Sequence, residues 1–153
     1  MPRYTIRALP SDLTEDARRV SIERGLAVDV SGQDAPYPVR CCLRDAGPHE
    51  QVLLLSAQPI TETSPYAATG PIYLHRHPCD GYRHDGQVPE MLRSRLLSVR
   101  AFDDAHMMTG AEVMSGDLLD EAAPRLLAVG RTAYRHVHFA GAGCYACRID
   151  PAT

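Results

Sequence analysis

The stretch that most constrains the fold is AYRHVHFAGAGCYACRID, from Ala133 to Asp150, because it sets two alternating runs on either side of a glycine-rich turn. In the first run His136, His138 and Ala140 alternate with Val137 and Phe139. In the second, Tyr145, Cys147 and Ile149 alternate with Cys144, Ala146 and Arg148. A period of two places successive side chains on opposite faces of an extended backbone, the pattern of a half-buried strand. The intervening AGAG has the small residues of a hairpin turn. An antiparallel strand pair is therefore expected here.

The preceding chain supplies further strands and two longer helices. Tyr4 to Leu9 alternates as a strand and Pro10 closes it; Ser11 or Asp12 then caps a helix to about Arg24, with Leu13, Ala17, Val20 and Ile22 as its apolar side. Leu26 to Val30 reads as a short strand before the loop SGQDAP. Tyr37 onward reads as extended chain, and the unbroken apolar run Val52–Leu55 reads as a strand covered on both faces. Ile72 to Arg76 is a further strand, leading to His75, His77 and Cys79. GYRHDGQVP, from Gly81, has the residues of a mobile connection. Beyond it come a short helix at Glu90–Leu97 and two strands, Ser98–Phe102 and His106–Met114, around Asp103-Asp104-Ala105. A last helix spans about Asp117 to Val129, with Pro124 expected to kink or split it. Strands and helices do not alternate in this order. The expected fold is α+β, a mostly antiparallel sheet covered by two helices, in one domain over residues 1–153.

Composition narrows the chemistry. A chain of 153 residues with 44% hydrophobic and 23% charged side chains can bury one sizeable core. A net charge of −3 gives no basic face for nucleic acid. No apolar run reaches membrane-spanning length, and MPRYTIRALPSD lacks the apolar centre of a secretion signal, so a cytoplasmic protein with no membrane partner is expected. Lysine, asparagine and tryptophan are absent, so all 16 cationic side chains are arginine. Schiff-base and phosphate-loop lysines are thereby excluded, and an anion must be met by arginine, histidine or backbone N–H groups. Five cysteines, an odd number, argue for free thiols over a disulfide framework.

Two sets of residues carry the candidate chemistry. Cys144 and Cys147 are spaced for metal binding, dithiol–disulfide cycling or plain core packing, and the backbone decides among these. A regular strand would put them on opposite faces, unable to share a metal; a knuckle opened by Gly143 would bring them together. Core packing with no cofactor is the expectation. Its alternative is zinc on Cys42, Cys144 and Cys147, with His75, His77 or Cys79 as fourth donor. The second set is basic. His75 and His77 share one strand face, as do His136 and His138, and Arg40, Arg100 and Arg148 add guanidinium groups suited to a carboxylate or phosphate. From these, Arg40, His75, His136 and Arg148 form the candidate pocket for a small anionic ligand. A structural or interaction module without chemistry is the competing reading. No G-x-S-x-G elbow or dinucleotide fingerprint is present, and Asp103-Asp104 and Asp120-Glu121 read as solvated surface, so no catalytic residue is assigned.

Three segments in order, YPVRCCLRDA from Tyr37, TGPIYLHRHPC from Thr69 and the C-terminal AYRHVHFAGAGCYACRID, resemble the bacterial family called domain of unknown function 1203. The resemblance covers most of the chain and implies a bacterial origin and common fold boundaries, with no reaction attached. The family pattern has cysteine at the positions of Val39 and Cys42, whereas this chain carries Val39 and an additional Cys41. A four-thiolate site built from two C-x-x-C pairs would lack one ligand here. Apolar sheet edges favour a two-fold homodimer.

Overall fold

A computed structural model describes residues 3–32 and 36–152; the centre of the expected SGQDAP loop, residues 33–35, lies outside the described residues. The first half of the chain runs through β1 (Tyr4–Arg7), α1 (Ser11–Glu23), β2 (Val28–Asp29), β3 (Tyr37–Val39), β4 (Arg44–Ala46), β5 (Val52–Ala57) and β6 (Gly70–His75). The second half contains the single-turn helix α2 (Glu90–Arg93), then β7 (Leu96–Phe102) and β8 (Met108–Ser115). A 3-10 turn at Gly116–Leu118 leads into α3 (Leu119–Leu127), followed by β9 (Tyr134–Phe139) and β10 (Tyr145–Pro151).

The α+β class stands, but the strands form two sheets where one was expected. The first sheet, ordered β1-β10-β9-β7-β8, is antiparallel throughout. The second, β2-β5-β6-β3-β4, is mixed, because β3 runs parallel to β6 through Val39 and Tyr73. The division follows the chain: residues 28–75 pair among themselves, and the segment 76–89, which carries no helix or strand, crosses to the other sheet.

Helix α1 lies on the second sheet, though not by the expected side. Thr14, Ala17, Arg18 and Ser21 are its buried residues, while Ile22 stays 57% exposed. The reason is polar. β2 pairs with β5 only at Leu53 and Leu54, so the backbone of Ser56 lies beyond its reach. The Ser21 hydroxyl takes that place, accepting from Ser56 N–H and donating to its carbonyl, both at 3.3 Å. Arg18 Nε likewise donates to the His75 carbonyl at 2.8 Å.

Helices α2 and α3 cover the outer face of the first sheet, where Leu97, Val99, Val137, Cys147 and Ile149 meet Met91, Leu119 and Leu126. Pro124 sits within α3 and does not divide it. The register of β10 shifts between Tyr145 and Cys147, so Tyr145 pairs with His138 and Cys147 with Val137. That bulge breaks the expected alternation. Cys147 packs under the helices while Tyr145 turns to the other face and joins the core of the second sheet, with Val39, Leu55 and Ile72.

Candidate metal centre

β3 turns back into β4 through Arg40–Leu43, a tight turn that requires a left-handed residue. Leu43 supplies it at φ 53, a conformation unusual for a branched side chain, and is held there by burial in the first core. The turn brings Cys41 and Cys42 beside His75, the last residue of β6. Four residues later the chain presents Cys79, and Gly81, at φ 79, turns it away again.

Cys41, Cys42, His75 and Cys79 therefore offer three sulfurs and one ring nitrogen, all within 4.8 Å of one another. His75 Nδ1 lies 3.8 Å from both Cys41 Sγ and Cys42 Sγ. Donors around a tetrahedral zinc, with bonds of about 2.1–2.3 Å, stand roughly 3.5–3.8 Å apart, so this set needs little contraction to close on an ion.

The surroundings suit the same chemistry. His75 Nε2 is 2.9 Å from Glu50 Oε1, which leaves Nδ1 facing the sulfurs. Arg44 grips both oxygens of Glu50, at 2.6 and 3.0 Å, and Gly47 N–H donates at 2.7 Å. Arg44, and then the Gly47 amide, hold the Glu50 carboxyl down at about 2. A carboxylate on the far nitrogen of a ligating histidine is the usual second layer of a metal site. Backbone N–H groups of His75, Arg44 and Gly81 act to lower the thiol pKa of Cys41, Cys42 and Cys79 in turn. Hydrogen bonding to Cys42, then burial, pushes the Cys41 thiol up to about 12, whereas Cys42, accepting from Cys41, is drawn below its ordinary value. Burial raises Cys79. Thiols that share protons among themselves while accepting amide N–H groups are a site a cation can deprotonate and bind.

The family model described as "Protein of unknown function (DUF1203)" matches residues 36–150 of the chain. The chain belongs to the DUF1203 family. No curated protein and no solved structure matches it. The DUF1203 match runs from β3 into β10 and takes in all four donors, and leaves out β1, α1 and β2.

The zinc set read from the sequence is corrected in composition: within this DUF1203 chain, Cys144 and Cys147 stand apart from Cys42 and His75. The bulge in β10 follows Cys144 and bears on Cys147 alone. Cys147 is fully buried in the first core, which pushes its thiol up to about 12. Cys144 Sγ accepts from Arg40 Nη2 at 3.1 Å. Cys41 and Cys79 take their places, and His77 is exposed outside the group. Val39, where the resemblance put a cysteine, is buried in the second core, and Cys41 is the additional sulfur in the group. Adjacent cysteines gave no periodic signal for this. The recoverable clue was His75-x-x-x-Cys79-x-Gly81, a strand end followed by a glycine-turned cysteine.

The four candidate ligand residues fall into three places. His75 belongs to the cysteine group. Arg40 is fully buried between the sheets, with Nε on the Tyr145 carbonyl at 2.7 Å and Nη1 on that of Pro38. Its guanidinium lies 4.8 Å from the centre of the Phe139 ring and 5.8 Å from that of Tyr73. Burial lowers its pKa, and among the described residues no carboxylate pairs with it. His136 and Arg148 do share a face, as register partners on β9 and β10, and Arg100 is His136's partner on β7. Arg148 is held by Asp150 at 2.7 Å and lies 4.0 Å from the centre of the Tyr134 ring.

Proposed function

We propose that this DUF1203 chain is a zinc-binding domain in which Cys41, Cys42, His75 and Cys79 hold one tetrahedral ion. The observation that carries the reading is the grouping of three sulfurs and His75 Nδ1 within 4.8 Å, with Glu50 on the opposite nitrogen of the same ring. Soft sulfur donors select zinc over magnesium or calcium. Four protein ligands leave no open position for water or substrate, so the role is structural. The ion joins the β3–β4 turn, the end of β6 and the segment 76–89 at the point where the chain leaves one sheet for the other. A connection of that length without helix or strand gains most from being fastened.

Protein purified without an affinity metal column should contain about one equivalent of zinc by elemental analysis. Cys79→Ser should lose it, and chelation should lower the thermal midpoint of the parent but not of the variant. Metal-free protein that folds stably with all five thiols reduced would refute the proposal.

A further inference from the structure

Between the two sheets lies a cleft of about 390 Å³, a volume in the range of small-molecule sites. Its walls are apolar: Ile60, Ile72 and Phe102, each at most 5% exposed, with Tyr66 edge-on to Phe102 at 5.8 Å. Its polar lining comes from the inner face of the first sheet, where Arg100, His136 and His138 meet it. Arg100 and His136 are direct register partners on neighbouring strands, so their side chains rise from the same face.

Two features of these side chains lack a partner within the chain. Arg100 gives Nε to Ser98 Oγ at 3.2 Å, and among the described residues no carboxylate meets its terminal nitrogens. His136 is only 4% exposed, yet among the described residues none hydrogen-bonds its ring nitrogens; its contacts are with the rings of Phe102, Tyr134, His138 and Tyr145. The ring nitrogens are not among the enclosed, unsatisfied atoms of the described residues, so an imidazole without a partner at the cleft wall is open to a ligand. His138 keeps Nδ1 on the Gly143 carbonyl at 2.9 Å and adds no charge.

We infer that this cleft binds a small monocarboxylate with an apolar body, the carboxylate on Arg100 and His136 and the body against Ile60, Ile72 and Phe102. Among the described residues Arg100 is the one guanidinium in the cleft lining and matches one negative charge in a site with apolar walls, and a planar carboxylate fits its fork in a two-bonded geometry. A phosphate dianion would need a second free cation, but the nearby Arg148 is committed to Asp150. The cleft and the cysteine group have no residue in common, so this site stands apart from the zinc proposal.

Calorimetric titration of the protein as purified tests it, with phenylacetate and 4-methylpentanoate as probes. At least one should bind saturably at one equivalent, and phenylacetamide, acetate and inorganic phosphate should each be at least tenfold weaker. Arg100→Gln should weaken binding at least tenfold. Ala142→Trp, an exposed substitution at the cleft lining that leaves both cores untouched, should block it while the thermal melt is retained. Absence of saturable binding by both probes, unchanged affinity in either variant, or phosphate binding as tightly as the carboxylates would overturn the assignment.

Discussion

His136 shows at the residue scale how a side chain can be legible in the sequence while its state is not. The period of two on β9 placed it on one face with His138, and the register sets Arg100 and Arg148 on either side. Its burial could not be read that way. Burial first, then the charges of His138, Arg148, Arg100 and His106, lowers its pKa from 6.5 to about 3. The unfolded chain therefore takes up a proton near pH 6.5 that the folded chain refuses until about pH 3. The stability associated with neutral His136 is complete above the unfolded value and is lost as pH falls, at up to about 1.4 kcal/mol per pH unit. His136→Phe should flatten the acid limb of the stability profile between pH 6 and pH 4, measured by urea denaturation. An unchanged slope would mean that the imidazole titrates normally in the folded protein. The cysteines present the opposite case. Which of the five would meet could not be read from spacing, because the meeting depends on Leu43 holding a left-handed turn, a conformation its residue type does not announce.

At the scale of elements, the strands with clear alternation or continuous apolar runs, β5, β7, β8 and β9, are found where the sequence put them, to within a few residues. The face of α1 was not readable. Its buried stripe is Thr14, Ala17, Arg18 and Ser21, chosen by unpaired carbonyls on the sheet below and not by apolarity. Gly116 is a second such case. Its backbone passes so near α2 that a Cβ would stand 1.7 Å from the Leu92 carbonyl oxygen, a constraint that comes from a distant turn of chain and leaves no local signal. Its N–H also donates to the Arg95 carbonyl at 2.8 Å, which fixes the approach. Gly116→Ala should cost upwards of about 2 kcal/mol in a denaturant melt, since backbone on both sides must move. A loss below about 0.5 kcal/mol would show that the junction between α2 and the 3-10 turn yields freely.

For the whole molecule, the division into two sheets was hidden because the parallel contact of β3 with β6 rests on a single register pair between segments far apart in sequence. Local alternation carries no information about which sheet a strand joins. That division leaves the crossover at 76–89 without helix or strand, and it is there that the proposed ion would act. Stripping the ion should open this segment to trypsin at Arg83 well before either sheet unfolds, as peptide mapping would show. Equal resistance with and without metal would mean that the crossover is held by packing alone. The central claim is tested most directly by zinc K-edge X-ray absorption on protein purified without an affinity metal column. The account predicts three sulfur neighbours at about 2.3 Å and one nitrogen at about 2.0–2.1 Å. A first shell of nitrogen and oxygen alone, or a folded protein with no zinc edge, would contradict it.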